Sequence, residues 1–166
     1  MFYDEIFKAF RKAEIQYLVA GGVAVNLHGV PRFTMDLDLI IFLETENILK
    51  ATHTLKKMGY QPRVPVDPEE LADPDKRELW KMERNMRVFS FFHEKYPQQV
   101  IDLFIEHPLP YEIMDKEKKI VMFRDTPVPL VGRDHLKQMK EVAGRAQDLS
   151  DIRALNTLEE EEQKDG

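Results

Sequence analysis

No cysteine occurs anywhere in the 166 residues. That one absence excludes disulfides, thiolate zinc sites and cysteine nucleophiles together. Also missing is any apolar run approaching the ~20 residues that span a bilayer. The opening residues, Met1 to Phe10, carry Asp4 and Glu5 and lack the basic-then-apolar pattern of a secretory leader. These gaps give the expectation of a cytoplasmic protein with no membrane partner. An excess of positive charge is lacking as well. The formal net charge is −6, and the last ten residues carry −4 of it through Glu159 to Glu162 and Asp165 against Lys164, leaving −2 for the rest. Global charge therefore gives no argument for nucleic-acid binding, though a local basic patch is compatible with it.

What is present is a globular composition. Hydrophobic residues make up 43% of the chain, and a chain of this length buries roughly two-thirds of its unfolded surface as one domain. Ile6, Phe7, Phe10 and Ala13 recur at helical spacing. Tyr17 to Ala20 reads as a buried strand that meets a tight turn at Gly21-Gly22. A short helix from Val23 to Leu27 follows, closed by Gly29 and Pro31. Asp36 to Leu43 is apolar and β-branched apart from two aspartates, which predicts a strand. Thr45 is placed to cap a helix over 46–58 that stops at Gly59. Four prolines between Gln61 and Pro74 predict a long loop, with a helical turn at Pro68 to Ala72. Trp80 and the charges from Asp75 to Arg87 read as an amphipathic helix packed on the body, with a lid as the other reading.

Val88 to His93 and Val100 to Ile105 predict an antiparallel hairpin with Pro97 in its turn. Short strands are expected at Lys119 to Phe123 and Val128 to Val131. Asp134 to Ala143 and Gln147 to about Glu160 read as helices broken by Gly144. The interleaving gives an α+β fold, a mixed β-sheet with flanking helices and a helical C-terminal segment. One domain is expected over 1–158, with its core at about 17–131, its C-terminal helices at about 134–158, and a frayed acidic tail over 159–166.

The chemistry concentrates in Asp36-Leu37-Asp38-Leu39-Ile40-Ile41. Side chains alternate along a strand, so Asp36 and Asp38 share one face. Adjacent carboxylates resist joint ionisation unless a cation lies between them, and Mg²⁺ takes carboxylate and phosphate oxygens. Asp102, within Val100-Ile101-Asp102-Leu103-Phe104-Ile105, is costly to bury alone, and the cost falls if it shares that cation. Three carboxylates suit a two-metal site with ions about 4 Å apart. Gly21-Gly22 lets backbone N–H groups approach an anion, and the following helix aims its positive end there. Each part alone has a plainer reading, as a turn, surface aspartates or a salt-bridged strand residue. Their order and spacing agree on one site.

The stretch from Leu18 through Gly21-Gly22, His28-Gly29, Arg32 and Thr34 to Asp36 and Asp38 resembles the DNA polymerase β-like nucleotidyltransferase superfamily. More narrowly, it resembles the minimal nucleotidyltransferases and their toxin-type branch with an AbiEii-like core. Leu136 to Ile152, with Lys140, Gly144, Arg145, Asp148 and Asp151, is similar to that branch's helical segment. The resemblance covers most of residues 17–156. It implies the nucleotidyltransferase fold and transfer of a nucleoside monophosphate from an NTP, ATP included, to a hydroxyl, with release of pyrophosphate. It further implies Asp36, Asp38 and Asp102 as metal and catalytic carboxylates binding Mg²⁺, with Mn²⁺ as a substitute, and Asp102 helping to activate the acceptor hydroxyl. Many relatives carry Gly-Ser where this chain has Gly21-Gly22, so the phosphate grip rests on backbone N–H groups.

Arg32 and Thr34 precede the aspartates. Arg32 either neutralises triphosphate charge or pairs with those aspartates, and Thr34 shares their face if the strand begins that early. His28 reads as a histidine packing the short helix. Lys140 and Arg145 either complement a helix C-terminus or reach the phosphates or base. Asp148 reads as a partner of Arg145 or a cap of the last helix. Three functions remain open: a nucleotidyltransferase acting on an RNA end, a protein or a small molecule; a catalytically weak or inactive binding module with a helical protein partner, such as a toxin–antitoxin component; and a metal-dependent phosphohydrolase.

Overall fold

The computed structural model describes residues 2–166. Among these residues seven strands form one sheet: β1 (Tyr17–Ala20), β2 (Asp36–Ile41), β3 (Tyr60–Pro62), β4 (Val88–His93), β5 (Val100–Phe104), β6 (Lys119–Phe123) and β7 (Thr126–Leu130). Their order across the sheet is β3-β4-β5-β2-β1-β7-β6. The β2–β5 and β1–β7 pairs are parallel and the others antiparallel, so the sheet is mixed as expected. Seven α-helices among the described residues accompany it: α1 (Tyr3–Lys12), α2 (Gly21–Leu27), α3 (Thr45–Lys57), α4 (Pro74–Arg84), α5 (Tyr111–Lys116), α6 (Arg133–Ala143) and α7 (Ala146–Asp165). None of the described helices is long and apolar enough to cross a membrane.

Alternation along the central strands separates core from site. Leu37 and Leu39 of β2, Ile101 and Leu103 of β5, and Phe89 and Phe91 of β4 are all buried. Their strand neighbours Asp38, Asp102 and Ser90 point to the opposite face, which is only partly covered. In α1, Ile6, Phe7 and Phe10 are buried at helical spacing. The Phe7 and Phe10 rings lie 6.5 and 5.3 Å from that of Tyr17 on β1. Asp4 and Glu5 in the first turn and Arg11 and Lys12 in the last complement the helix dipole.

Several boundaries differ from the sequence expectation, each for a local reason. The glycine pair is not a separate turn: Ala20 is extended and α2 begins at Gly21, not Val23. The cap of α3 is Glu44 rather than Thr45, with the Glu44 carboxylate accepting from the Asn47 N–H at 3.3 Å. β2 ends at Ile41, two residues early, because Asn47 takes the Phe42 carbonyl. The proline-rich loop contains strand β3 and the expected turn at Pro68–Ala72, a 3-10 helix. α4 stops at Arg84, where Asn85 turns left-handed at φ +49°.

β7 starts at Thr126 and carries Pro127 and Pro129 inside it. The Val131 N–H donates to the Val19 carbonyl at 3.0 Å. Residues two apart face the same way, so both prolines turn a donorless nitrogen toward β1. That confines the β1–β7 pairing to the Val19–Leu130 end.

α7 does not fray at Leu158 but continues to Asp165. Glu159 pairs with Lys137 at 2.8 Å, and Glu162 takes both Arg133 Nη atoms at 2.7 and 2.9 Å. Two of the acidic residues, Glu159 and Glu162, are thus held by α6.

Asn47, buried on α3, staples the β1–β2 end of the sheet. Its Oδ1 accepts from the Gln16 N–H at 2.8 Å, and its Nδ2 donates to the Gln16 and Phe42 carbonyls at 2.9 and 2.8 Å. Asn47→Ala removes three hydrogen bonds and leaves the Gln16 N–H without its partner, while the Gln16 carbonyl keeps the Phe42 N–H and the Phe42 carbonyl keeps the Glu44 N–H. The expected loss is about 1–3 kcal/mol, read by urea unfolding at constant m-value.

Candidate functional site

The site is a row of residues running across four strands, β1, β2, β5 and β4. Ala20 lies opposite Asp38, Asp38 opposite Asp102, and Asp102 opposite Ser90. The Ser90 carbonyl accepts from the Arg63 N–H at 3.0 Å, just past the end of β3. Neighbouring strands are about 4.8 Å apart, so Asp38 and Asp102 stand side by side on the central parallel pair. Asp36 sits one pleat earlier, opposite Val100, and is exposed. Strand periodicity thus puts Asp36 and Asp38 on one face, and the β2–β5 pairing brings Asp102 to Asp38.

Gly21 and Gly22 close this row from the β1 side. Gly21 has φ +62°, and a Cβ there would overlap the Asp38 carboxylate. A Cβ on Gly22 would overlap Arg32 Nη1 and lie 2.7 Å from Thr34 Oγ1. Both glycines are required by close approach, with the carboxylate on one side and the Arg32–Thr34 segment on the other. α2 has only seven residues, so the backbone N–H groups matter here more than a helix dipole.

Burial pushes the Asp38 carboxyl up to about 7, with the Asp102 and Asp36 charges adding to the effect. Asp102 is also raised by burial, which the Ser90 hydrogen bond opposes and the Asp36 charge reinforces. With the proton held on Asp38, its O–H donates to the Asp102 carboxylate. Ser90 Oγ donates to Asp102 Oδ1 at 2.5 Å. Among the described residues none of Asp36, Asp38 and Asp102 is ion-paired, whereas Arg32 and Lys140 pair with Asp151 and Arg145 pairs with Asp148. Nor are any three His, Asp or Glu side chains among the described residues already gathered into a metal-holding group. The donor set still fits a divalent cation, because Asp38 and Asp102 form a half-buried carboxylate pair with no ion-pair partner among the described residues.

The basic residues are arranged differently from the sequence alternatives. Arg32 pairs with Asp151 of α7 at 2.8 Å, not with Asp36 or Asp38. Thr34 precedes the strand, and its Oγ1 reaches the Asp36 carbonyl at 3.5 Å. Lys140 is buried and bonded to Asp151 at 2.8 Å. Arg145 lies at the α6–α7 junction, mostly exposed, with Nε 2.7 Å from Asp148 Oδ2. Asp148 also accepts from the Arg145 backbone N–H, so it both pairs and caps. His28 is a packing residue, its Nε2 bonded to the Val131 carbonyl at 2.8 Å.

Sequence reasoning passed over Ser90, Tyr3, Arg63 and the hub role of Asp151. Ser90 had a legible signal, as a lone hydroxyl among the aromatics of Val88-Phe89-Ser90-Phe91-Phe92. Tyr3 had none: its hydroxyl donates to the Thr34 carbonyl at 3.4 Å. Burial, and then the Asp36 and Asp38 charges, push its pKa above the ordinary value and so disfavour the phenolate. Two surface cavities, of about 580 and 360 Å³, lie elsewhere and include none of the three aspartates in their linings.

No protein-family model and no curated protein sequence matches the chain. Solved structures do. One is the lincosamide antibiotic adenylyltransferase LnuA with lincomycin bound, with TM-score 0.62 and 17% identity over 93% of this chain and 94% of that one. A second is ANT(2")-Ia in complex with adenylyl-2"-tobramycin, with TM-score 0.58 and 13% identity over 93% and 86%. A third is an antigenic nucleotidyltransferase-like protein from Paracoccidioides brasiliensis, with TM-score 0.57 and 16% identity over 92% and 72%. At these identities the likeness carries the architecture: the chain has the nucleotidyltransferase fold.

The raised Asp38 gives a signed pH dependence. Between pH 4 and 7 the native state holds a proton that the unfolded state has released, so this group makes stability fall as pH rises. Asp151 works in the opposite direction. Burial alone would raise it, but hydrogen bonds from Lys140, Gln147 and Arg32 and the Lys140 charge hold it below its ordinary value. Its contribution is lost as pH falls below about 4. Asp38→Asn is expected to remove the decline between pH 5 and 7 and leave the acid limb in place, as read by urea unfolding across that range without divalent metal.

Proposed function

We propose that this chain transfers a nucleoside monophosphate from an NTP to a hydroxyl acceptor and releases pyrophosphate. The proposal includes Mg²⁺, or Mn²⁺ in its place, at Asp36, Asp38 and Asp102. The observation that carries it is the Asp38–Asp102 pair, which has no ion-pair partner among the described residues and stands against Gly21. A carboxylate pair in that state calls for a cation, and the Arg32 guanidinium against Gly22 offers donors to an anion. A metal–polyphosphate ligand satisfies both requirements. Bound there, the metal would neutralise the carboxylates and stabilise charge on the transferring phosphate.

The chain's own residues supply the rest. Gly21 and Gly22 let the phosphate chain approach the backbone, with Arg32 and Thr34 beside them. Ser90 orients Asp102, the group we assign to take the acceptor's hydroxyl proton. The freed oxygen attacks the α-phosphorus, the bond to the β-phosphate oxygen breaks, and pyrophosphate leaves. Arg145, exposed at the α6–α7 junction, is retained as a phosphate- or base-binding candidate. Lys140 acts through Asp151 in this reading, since its ammonium group is already engaged.

The structural neighbours support a small-molecule hydroxyl as acceptor over an RNA end or a protein, and ATP as donor. One is described with lincomycin and another with an adenylylated tobramycin.

Isothermal titration of Mg·ATP is expected to give wild-type binding in the micromolar to millimolar range, weakened at least tenfold in Asp36→Ala/Asp38→Ala. Equal binding by the two proteins would sink the enzyme reading and leave a binding module of the toxin–antitoxin kind. Asp102→Asn is expected to hold Mg·ATP within a few-fold of wild type. It should slow nucleotidyl transfer about 10²–10⁴-fold, followed with labelled ATP and a panel of hydroxyl-bearing small molecules.

A further inference from the structure

Asp151 is 2% exposed and joins three parts of the chain. Its Oδ1 accepts from Arg32 Nε at 2.8 Å and Gln147 Nε2 at 3.0 Å, and its Oδ2 accepts from Lys140 Nζ at 2.8 Å. Lys140, 6% exposed, also lies 3.7 Å from Asp148 Oδ1. Burying charges in this way costs desolvation that their mutual attraction offsets only with good geometry. Apolar side chains of similar volume hold two helices together as well or better. The cluster therefore calls for a role beyond joining α6 to α7.

The group it fixes is Arg32. The Arg32 backbone N–H donates to Asn26 Oδ1 of α2 at 2.9 Å, and Nη1 donates to the Phe33 carbonyl at 3.0 Å. With Nε on Asp151, the residue is held at both ends. Its guanidinium lies against Gly22, where a Cβ would overlap Nη1. An arginine has five N–H donors in a planar fork. Two are used here, and the other three have no protein partner among the described residues. Planar N–H donors in a fixed direction suit a phosphate.

We propose that Asp151 is a positioning residue: it pins the Arg32 guanidinium over Gly22 so that the remaining donors take a phosphate oxygen of the NTP. The α6–α7 pair is thereby coupled to nucleotide binding. This inference rests on the nucleotidyl-transfer reading.

The test is a cycle of Arg32→Gln, Asp151→Asn and the double variant, titrated with Mg·ATP. Amide exchange over residues 32–36 is followed without nucleotide. Each single substitution is expected to weaken binding about tenfold or more. The double variant should be no worse than the weaker single, since Asp151 acts through Arg32. Exchange over 32–36 should quicken in Asp151→Asn while the central strands stay protected. A merely structural Asp151 would lower stability and leave the affinity of the folded protein unchanged, and that result overturns the proposal. So do losses that multiply in the double variant, or wild-type affinity in Arg32→Gln, which keeps the Lys140–Asp151 pair. If Asp151→Asn does not fold, Lys140→Met/Asp151→Asn removes one charge of each sign and takes its place in the cycle. A wild type that binds no Mg·ATP defeats the nucleotidyl-transfer reading itself. Wild-type binding with an unaffected Arg32→Gln defeats only this inference.

Discussion

Two carboxylates side by side on adjacent central strands are an unfavourable arrangement, and much of the surrounding structure answers to it. Asp38 and Asp102 face each other because β2 and β5 run parallel in register, so neither can move away without breaking the ladder. Half-burial sharpens their repulsion, and one proton shared toward Asp38 relieves it. Ser90 supplies a donor to Asp102, but among the described residues no ammonium or guanidinium group forms an ion pair with either carboxylate. The glycines follow from the same constraint, since a side chain at Gly21 would occupy the space of the Asp38 carboxylate.

Positive charge is near, but it is committed elsewhere. Arg32 and Lys140 converge on Asp151, and Arg145 on Asp148. The result is a second electrostatic centre beside the first, made of paired charges and holding the segment that leads into Asp36. The two centres divide the work: one presents unneutralised carboxylates, and the other fixes the residues around the glycines. Arg133 and Glu162 extend the same logic, docking the acidic end of α7 where composition predicted fraying. A run of glutamates reads as solvated until its partner lysine and arginine, on another helix, are seen.

Periodicity was legible where burial is one-sided. The alternation in Asp36–Ile41, Val88–His93 and Val100–Phe104 predicted strands, and the hairpin and mixed sheet followed. Helices with a strong apolar stripe, such as α1, were also legible. The misplaced boundaries share a cause, which is that a partner distant in sequence ends or extends the element. Asn47 ends β2, and α6 keeps α7 helical. Two prolines inside β7 leave its β1 side only the Val19–Leu130 pairing. Strand β3 was hidden among prolines because only its pairing with β4 defines it.

Residue order by itself determined that Asp36 and Asp38 share a face and that a glycine pair precedes them, because strand geometry and backbone sterics are local. It also determined a cysteine-free chain with no bilayer-length apolar run. Only the tertiary structure decided that Asp102 stands beside Asp38, that Ser90 bonds to it, and that Arg32 pairs with Asp151 rather than with the aspartates. Those are contacts between residues 12 to 119 positions apart. No local periodicity encodes them, because strand register and helix docking are set by the packing of the whole core.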